Sequence, residues 1–422
     1  MLLLSRSLPD HSLFATTFSL ALIVALCTVP HAAQVAFTAA SVVDPTVIGN
    51  APDDPGPLAN DLSPELKGPA IRSVMRKVAD WQLRVAESKF NSQWAFAALY
   101  DGLIAASATT GIPVYRDAVK HYAETQRWAV MDDRFPHADD MALGKAYSKL
   151  YLTEAAAEQK PDQIASTKAS LDRLLTHRDK LAKPLWWWCD ALYMAPPVLV
   201  RMSKITGEHK YIDFMNHEWD ITTTELYSPP EHFFFRDASY LNKTEANGKP
   251  SFWSRGNGWV MAALVMILQD LPGHHPSRSK FVVKLQEMAA ALVNVQGSDG
   301  LWRSGILDPA SYDLPEISGS AFYTYAMAYG INAHILDIKT YRPIVAKAWA
   351  GMLTHIYADG RLGSIQPINS APGQFKPSAS SVFGVGAFLL AGSELAHLTI
   401  HPTARKARPG AQITRHEKDL LM

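Results

Sequence analysis

The sequence predicts an all-α protein, an (α/α)6 barrel built of six helical hairpins. First, apolar residues recur with the period of an α-helix from residue 70 to residue 400, with almost no strand-like alternation. Second, helices that carry charge on one face alternate along the chain with helices that are apolar all round. Third, glycine-containing links between helices are short enough to make antiparallel pairs. An open helical solenoid is the alternative that these patterns also allow.

The periodicity predicts about twelve helices. In the first of them Ile71, Val74, Val78 and Trp81 lie on one face, and charged residues such as Arg76 lie elsewhere. The predicted helices cover residues 71–89, 93–110, 113–127, 138–156, 162–177, 187–206, 209–225, 256–271, 276–295, 317–335, 339–357 and 379–399.

The odd-numbered helices differ in composition from the even-numbered ones. The third carries Arg116 and Asp117 on one face, whereas the second begins with the apolar run 94–100 and the eighth contains the apolar run 259–264. A helix that is apolar all round must be buried on all sides. Six buried helices and six surface helices therefore predict two concentric rings.

A short internal repeat supports this pairing. Residues 110–117 resemble residues 206–213, and in each copy a glycine, Gly111 or Gly207, follows an inner helix. Glycine is the usual residue just past the end of a helix, and the next helix begins within a few residues. Such a tight link predicts an antiparallel pair in both places.

The ends of the chain differ from the helical region. Residues 1–33 resemble an export signal, with an apolar stretch at 13–26 and small residues at a cleavage site after Ala33. Residues 34–69 are predicted to form an N-terminal arm or linker, residues 70–400 the barrel, and residues 401–422 a disordered tail. We therefore expect a periplasmic or secreted protein.

Charge and cysteine content exclude several classes of function. Lys plus Arg number 40, as do Asp plus Glu, so the formal net charge is zero. Nucleic-acid and membrane-surface binding require a basic excess, so we expect neither partner once the signal is cleaved. Cys27 lies in the predicted signal, which leaves Cys189 as a lone thiol. With no cysteine cluster and no HExxH pair, the sequence predicts no metal site.

Polar residues gather where the inner helices begin. Inner helices of such a barrel all run in the same direction, so their N-termini meet at one end. An acid there can be a simple helix cap, but a cation opposes the helix dipole, so Arg255 requires another explanation. The residues in question are Asp139, Asp140, Asp190, Arg255, Trp259, Glu316, Ser318 and Ser320.

Two carboxylates that face each other across a cleft are the minimum for glycoside chemistry, in which one stays protonated and acts as the acid. Asp190 and Asp139 are the candidates. The three tryptophans before Asp190 and a second carboxylate raise its pKa, whereas the helix N-terminus lowers it, so its protonation state stays open. Arg255 suits a substrate carboxylate, because a guanidinium forms a two-pronged pair.

Tryptophans at this end supply further candidate contacts, because a pyranose ring has an apolar face that packs on an indole. The substrate-binding candidates include Trp94, Trp188, Trp259 and Asp140. His137 is a possible base, although histidine is also common at such turns.

Cys189 is interpreted as a packing residue rather than a nucleophile. The adjacent acid, Asp190, raises the pKa of a thiol and so keeps it in the unreactive form.

At these positions the sequence resembles the unsaturated rhamnogalacturonyl hydrolases of glycoside hydrolase family 105, which are related to the unsaturated glucuronyl hydrolases of family 88. The resemblance covers roughly residues 70–400, and the segments around Asp190 and Arg255 are its most specific parts. The matching segments are 138–140 with Gly144, 188–197, 234–237, 253–259, 299–302, 316–321 and 384–388.

The resemblance implies an (α/α)6 barrel without a metal or other cofactor. It implies an oligosaccharide substrate, of pectin or rhamnogalacturonan type or similar, whose terminal uronic acid carries a C4=C5 double bond. An aspartate protonates C4, water adds at C5, and the hemiketal opens to release the linked sugar. By resemblance Asp190 is the acid/base and Asp139 the second carboxylate, while Arg255 and Trp259 bind substrate.

The chain departs from the family pattern at one place. Where several members carry His-x-Trp-Asp, residues 236–240 read Arg-Asp-Ala-Ser-Tyr. We expect Arg236 to take the place of the histidine and to bind the uronate carboxylate. The sugar that follows the uronate stays open between rhamnose, a sulfated residue and glucosamine.

Three other functions compete with this interpretation. A conventional glycosidase on the same barrel would act at the anomeric carbon. A non-catalytic carbohydrate-binding protein would not need Asp139, Asp190 and Arg255 together. A polysaccharide lyase would require a base such as Tyr193.

Overall fold

The computed structural model describes residues 48–177 and 184–400. The predicted signal peptide at 1–33, the first part of the predicted arm at 34–47 and the predicted tail at 401–422 lie outside the described residues. Within the described part, the regular secondary structure is helical apart from four two-residue strands and a few isolated bridges, with irregular loops between the helices.

Helices alternate between an outer and an inner ring, as the composition predicts. The outer helices are α1 (Gly68–Ala86), α3 (Val114–Thr125), α5 (Asp162–Leu175), α8 (Lys210–Leu226), α10 (Arg278–Val293) and α12 (Ile338–Leu353). The inner helices are α2 (Trp94–Thr110), α4 (Leu143–Thr153), α6 (Ala191–Met194) with α7 (Pro196–Thr206), α9 (Ser254–Asp270), α11 (Ile317–Asn332) and α13 (Val382–Ile400). The strands are β1 (Gly49–Asn50), β2 (Tyr227–Ser228), β3 (Phe233–Phe234) and β4 (Ser380–Ser381).

The inner helices close into a ring. Each packs against the inner helices before and after it, and α13 returns to pack against α2. At this seam a Cβ on Gly386 would lie 2.1 Å from the carbonyl oxygen of Ala98, so the two backbones approach as closely as only glycine permits. The closure confirms the predicted (α/α)6 barrel and rules out the open solenoid.

The last inner helix shows how apolar this ring is. By length and composition the window Val382–Thr399 would suffice to cross a membrane, but 78% of it is buried inside the barrel. Its apolar surface therefore belongs to the core, where a helix apolar all round is expected.

The two copies of the internal repeat adopt the same turn. Gly111 and Gly207 both have φ of 74°, and their backbone N–H groups donate to the carbonyl oxygens of Ser107 and Ser203 at 3.0 and 2.8 Å. This left-handed conformation ends a helix and strains any residue with a side chain. The next outer helices, α3 and α8, begin three residues after these glycines.

The sixth and the fourth of the twelve predicted helices, at 187–206 and 138–156, differ most from their predicted bounds. Pro196 lacks an N–H to continue the helix from α6, so the chain bends at Ala195 before α7 begins. Before α4, residues Ala138–Met141 form a 3-10 turn rather than the first turn of an α-helix. Both departures lie at the end of the barrel where the candidate acids are.

The described part of the N-terminal arm lies along the barrel. Strand β1 pairs antiparallel with β4, which immediately precedes α13. Farther along, Leu58 forms a bridge with Tyr357, and the Ala59 N–H donates to the carbonyl oxygen of Ile356 at 2.8 Å. These backbone contacts hold residues 49–59 against the helical domain.

Candidate active site

Asp190 lies directly before α6, at the N-terminal end of the inner ring. A Cβ on Gly256 would lie 3.3 Å from Asp190 Oδ1 and 3.0 Å from Cys189 Sγ, so the carboxyl rests on the first turn of α9. Glycine at position 256 leaves the space that this approach requires. Asp190 is half-buried and thus remains within reach of a substrate.

The surroundings of Asp190 favour its protonated form. Burial raises its pKa to about 6, and Asp139 adds to the increase, while the positive charge of Arg236 is the main opposing influence. The Cys189 thiol donates to Asp190 Oδ1 at 3.3 Å. The balance between burial and the helix N-terminus, which the sequence leaves open, therefore favours burial, and Asp190 holds its proton in weakly acidic solution.

Asp139 occupies the 3-10 turn before α4. Its backbone N–H donates to Nδ1 of His137 at 3.3 Å, and its carboxylate lies 3.4 Å from Nη1 of Arg134. Burial raises the pKa of Asp139, against the influence of His137 and Arg134. Asp139 and Asp190 thus form a pair of recessed carboxyls, each with a raised pKa.

Asp140 has a structural role, which corrects its prediction as a substrate-binding residue. It is 2% exposed, and its carboxylate accepts hydrogen bonds from Arg134 Nε at 2.9 Å and from the Arg134 backbone N–H at 2.8 Å. These bonds close the loop from residue 134 to residue 140. Asp140 therefore helps to position its neighbour Asp139, and its burial keeps it away from solvent.

Arg236 is tied to the segment that carries Asp190. Its carbonyl oxygen accepts the Cys189 N–H at 2.9 Å, and Asp237 forms a bridge with Trp188. The guanidinium pairs with Asp237 and lies 5.4 Å from the ring centre of Trp187. Its Nε is buried and has no hydrogen-bond partner among the described residues. Arg236 thus offers an unused donor close to Asp190.

Asn257, which the sequence does not single out as a candidate, links β3 to the start of α9. Its side chain accepts the Phe234 N–H at 2.7 Å and donates to the Phe234 carbonyl at 3.0 Å. A second bond from Nδ2 reaches the Trp253 carbonyl at 3.1 Å. Asn257 therefore fastens β3, and with it the segment before Arg236, to the start of α9. Its place between two glycines in residues 253–259 was the available signal.

Arg255 is buried and bonded to backbone carbonyls, an arrangement that disagrees with its prediction as the residue that forks the substrate carboxylate. The side chain is 1% exposed, and its nitrogens donate to the carbonyl oxygens of Gln366 at 2.5 Å and Pro367 at 2.9 Å. It lies between the rings of Trp253 and Phe383, and burial lowers its pKa to about 10. Arg255 anchors the loop around residue 366 to the first turn of α9.

Glu316 is the partner of this anchor. It is fully buried at the start of α11, where its carboxylate accepts the N–H groups of Ser318, Gly319 and Gln366. Its Oε1 lies 3.9 Å from Nη1 of Arg255. Glu316 is therefore a helix cap that also holds the loop around residue 366.

The candidate tryptophans occupy different depths. Trp259, predicted to bind substrate, is 1% exposed and packs on Tyr193 and Phe322 at 4.6 and 4.4 Å between ring centres, so it belongs to the core. Trp188 is also buried. Trp94 is half-buried, and Trp187, which the sequence analysis did not select, is 37% exposed.

The remaining polar candidates are less suited to catalysis. His137 is half-buried against Trp188, with ring centres 4.5 Å apart, and burial lowers its pKa. Cys189 is fully buried, and burial raises the pKa of its thiol well above the usual range, which agrees with a packing role. The Tyr193 hydroxyl lies inside the barrel and donates to Asp101 at 2.9 Å, so it cannot serve as a lyase base.

Among residues 48–177 and 184–400, no group of three or more His, Cys, Asp or Glu side chains is arranged to hold a metal ion.

Two curated relatives match most of the length of this chain. This chain is 37% identical over 348 residues to the unsaturated 3S-rhamnoglycuronyl hydrolase of Formosa agariphila. The alignment covers 78% of this chain and 91% of the relative. The chain is 31% identical over 372 residues to the enzyme of the same name from Alteromonas sp. (strain LOR), which covers 80% and 89%.

Solved structures and a family model agree with the barrel. A polysaccharide lyase superposes with a TM-score of 0.74 at 28% identity, covering 80% of this chain and 99% of that one. A family 88 glycosyl hydrolase from Bacteroides vulgatus superposes with a TM-score of 0.73 at 28% identity, covering 78% and 99%. Residues 70–399 match the model of Glycosyl Hydrolase Family 88, and the chain belongs to that family.

Proposed function

We propose that this enzyme hydrates the C4=C5 double bond of an unsaturated uronic acid at the end of an oligosaccharide, and so releases the uronate. The curated relatives, named as unsaturated 3S-rhamnoglycuronyl hydrolases, support this substrate class. The observation that carries the proposal is the recessed Asp190 carboxyl at the start of α6, where burial raises its pKa to about 6 and so keeps a larger protonated fraction than an ordinary aspartate has.

The reaction begins with proton transfer from Asp190 to C4. The double-bond electrons form the new C4–H bond, and the positive charge left at C5 is shared with the ring oxygen. Water then attacks C5 and loses a proton to the Asp190 carboxylate, which restores the acid. The product at C5 is a hemiketal. Its ring opens, the anomeric carbon becomes an aldehyde, and the linked sugar leaves with its oxygen and a proton.

Arg236 is the proposed partner of the uronate carboxylate. This carboxylate sits on C5, beside the bond to be protonated, so its partner must lie close to Asp190. Arg236 meets that condition: its charge lowers the pKa of Asp190, and its buried Nε has no partner among the described residues. A guanidinium also suits a carboxylate because of its two-pronged geometry. The ring of Trp187 lies beside Arg236 and offers an apolar surface to the sugar.

Asp139 is the second carboxyl of the mechanism. When ionised, it raises the pKa of Asp190 and so keeps the acid protonated. Its contacts with His137 and Arg134 hold the Asp139 carboxylate in one orientation. Asp140 fixes Arg134 by a hydrogen bond, and Arg134 in turn contacts Asp139. The loop before α4 therefore holds Asp139 in place.

A screen of lyase-generated oligosaccharides tests the proposal, read by the ultraviolet absorbance of the C4=C5 bond. The enzyme should consume this absorbance with unsaturated disaccharides in which the uronate is linked to rhamnose, to a sulfated sugar or to glucosamine. A conventional glycosidase would release sugar without changing the absorbance. A lyase, the function named for one structural relative, would increase the absorbance of an intact polysaccharide. Either outcome would overturn the proposal.

A further inference from the structure

A fully buried lysine lies between the segments that carry the two candidate carboxyls. Lys145 stands in the first turn of α4, after the 3-10 turn that contains Asp139, and its side chain is 0% exposed. Its ammonium nitrogen lies 3.7 Å from Asp101 Oδ2 and 4.2 Å from the ring centre of Tyr193. The reaction proposed for Asp190 does not use this lysine, so its place inside the barrel requires a separate explanation.

Stability alone does not explain an ion pair in this place. Removing an ammonium and a carboxylate from water is costly, and their mutual attraction often does no more than offset that cost. Apolar residues of similar volume commonly give a core that is at least as stable. Lys145 and Asp101 are both buried, so this argument applies to the pair. It favours a role for the lysine in the adjacent active site.

Lys145 fastens the turn that carries Asp139. Its ammonium and its backbone N–H both donate to the carbonyl oxygen of Ala142 at 3.2 Å. The Ala142 N–H in turn donates to the Asp139 carbonyl oxygen at 3.1 Å. Arg201 holds the lysine from α7, because its Nη1 donates to the Lys145 carbonyl oxygen at 2.8 Å. The lysine thus ties the end of the 3-10 turn to the start of α4.

The same ammonium also contacts the segment that carries Asp190. It lies over the face of the Tyr193 ring, where the π electrons attract a cation. The Tyr193 N–H donates to the Asp190 carbonyl oxygen at 3.0 Å, and the Tyr193 hydroxyl donates to Asp101 Oδ2 at 2.9 Å. A continuous chain of contacts therefore runs from Asp139 through Lys145 and Tyr193 to Asp190.

The charge of Lys145 acts in the direction that the mechanism requires. Burial lowers the pKa of Lys145 to about 8, while the negative charges of Asp101 and Asp139 raise it. Lys145 therefore stays charged in the weakly acidic range in which Asp190, with a pKa of about 6, titrates. The attraction between Lys145 and Asp139 also favours the ionised form of Asp139, which is the form that raises the pKa of Asp190. The other titratable groups that act on this lysine and this aspartate are Asp101, Tyr193, Arg201, His137, Arg134 and Asp140.

We propose that Lys145 is a positioning residue, which holds the segments of Asp139 and Asp190 at a fixed separation and favours the ionised form of Asp139. It is buried away from the substrate and acts through Ala142 and Tyr193. The inference rests on the function proposed for Asp190 and adds to it a residue that prepares the two carboxyls for the reaction.

Kinetics on an unsaturated disaccharide test the inference with Lys145→Met, which keeps the length of the side chain and removes its charge. We expect kcat to fall at least about tenfold and KM to stay within about twofold of wild type, because the reacting groups are misplaced while substrate contacts remain. The rise of kcat on the acidic side of the pH profile should move to higher pH, because Asp139 loses a cation that favours its ionised form. Lys149→Met, the matched control one turn farther along α4 at an exposed position, should behave like wild type.

A double variant separates positioning from stability. Lys145→Met leaves Asp101 buried and unpaired, so the melting temperature should fall. Adding Asp101→Asn removes the unpaired charge and keeps an acceptor for the Tyr193 hydroxyl, so the melting temperature should rise again. The low kcat and the shifted pH profile should persist in the double variant. If Lys145→Met does not fold, the double variant is compared with wild type directly.

Two outcomes would overturn the positioning role. One is a folded Lys145→Met enzyme with the kcat and pH profile of wild type. The other is a double variant that recovers kcat together with its melting temperature, because the lysine would then serve stability alone. Failure of the wild type to consume the ultraviolet absorbance is a different result, which would overturn the function proposed for Asp190 and this inference with it.

Discussion

Arg236 and Arg255 both lower the pKa of Asp190, yet the barrel gives them different surroundings. Arg255 lies in the first turn of α9, is 1% exposed and donates to two backbone carbonyls. Arg236 follows β3, is half-buried and retains a donor without a partner among the described residues. The two guanidinium groups are chemically identical, so the difference in role comes from their surroundings alone.

The comparison teaches that a buried cation at a helix N-terminus can belong to the scaffold. There the helix dipole opposes a positive charge, and in Arg255 the carbonyl oxygens of Gln366 and Pro367 offset that cost. The result is a loop fixed against the active-site end of the barrel. The role proposed for Arg236, by contrast, requires a free donor, and its Nε makes no hydrogen bond to a described residue.

The largest expected effect belongs to the acid that both arginines influence. Asp190→Asn keeps the shape of the side chain and removes the transferable proton. Loss of a general acid typically costs about 10²–10⁴-fold in rate, so kcat on an unsaturated disaccharide should fall by that factor while the melting temperature stays near wild type. Turnover within a few-fold of wild type would show that another group supplies the proton.

Substitutions of the two arginines should have different effects on the recognition of the substrate carboxylate. Arg236→Ala should lower kcat/KM on the order of 10²-fold, because the uronate loses its orientation toward Asp190. A substrate whose carboxylate is a neutral methyl ester provides the control. Wild type should discriminate strongly against the ester, whereas Arg236→Ala should treat acid and ester nearly alike. Undiminished discrimination by this variant would remove Arg236 from the carboxylate site.

Arg255→Lys is the corresponding test for the buried arginine, which we expect to support the fold rather than to bind the substrate. It keeps the charge but leaves buried carbonyl oxygens without their donors, so the free energy of unfolding should fall by about 1–3 kcal/mol. Discrimination between acid and ester should persist in this variant. Denaturant unfolding and ester kinetics measure the two effects. A stable Arg255→Lys enzyme that no longer distinguishes acid from ester would reverse the roles assigned to the two arginines.

Asp139→Asn tests the coupling between the two carboxyls. Activity depends on protonated Asp190, so kcat/KM should decline as pH rises through about 6. Removing the negative charge of Asp139 lowers the pKa of Asp190. The decline should therefore begin at lower pH in Asp139→Asn than in wild type, with reduced turnover. An unchanged or higher midpoint in the pH–rate profile would contradict the coupling.

Export should leave the catalytic properties unaffected. We propose that the enzyme is periplasmic or secreted after cleavage near residue 33, because residues 1–33 have the composition of an export signal. Mass spectrometry of protein recovered from the native cell should place the mature N-terminus there. Recovery of the intact 13–26 segment would contradict this.

The sequence was sufficient for the barrel and for the positions of its acids. Helical period and the alternation of charged with apolar helices are local properties, so they predicted the two rings. The shared location of Asp190 and Asp139 was predictable as well, because the starts of parallel inner helices lie at the same end of the barrel. The break near Pro196 has an equally local cause, because proline cannot donate the helical hydrogen bond.

The role of Arg255 was not accessible in this way. Its burial depends on carbonyl groups more than a hundred residues away, and no local pattern reveals such a contact. The same holds for the tryptophans: Trp259 is closed off by Tyr193 and Phe322, whereas Trp187 remains exposed beside Arg236. Depth within the barrel, rather than residue type, therefore separates the proposed binding residues from the buried ones.

The most direct test of the central claim is the fate of solvent hydrogen. If Asp190 protonates C4, reaction in D₂O must place one deuterium on C4 of the released uronate, because the acid exchanges its proton with solvent. Mass spectrometry and NMR of the product locate that label. The proposed mechanism predicts a single deuterium at C4 in product formed at the same rate as the absorbance disappears. Release of the linked sugar with the C4=C5 bond intact and no label at C4 would contradict it.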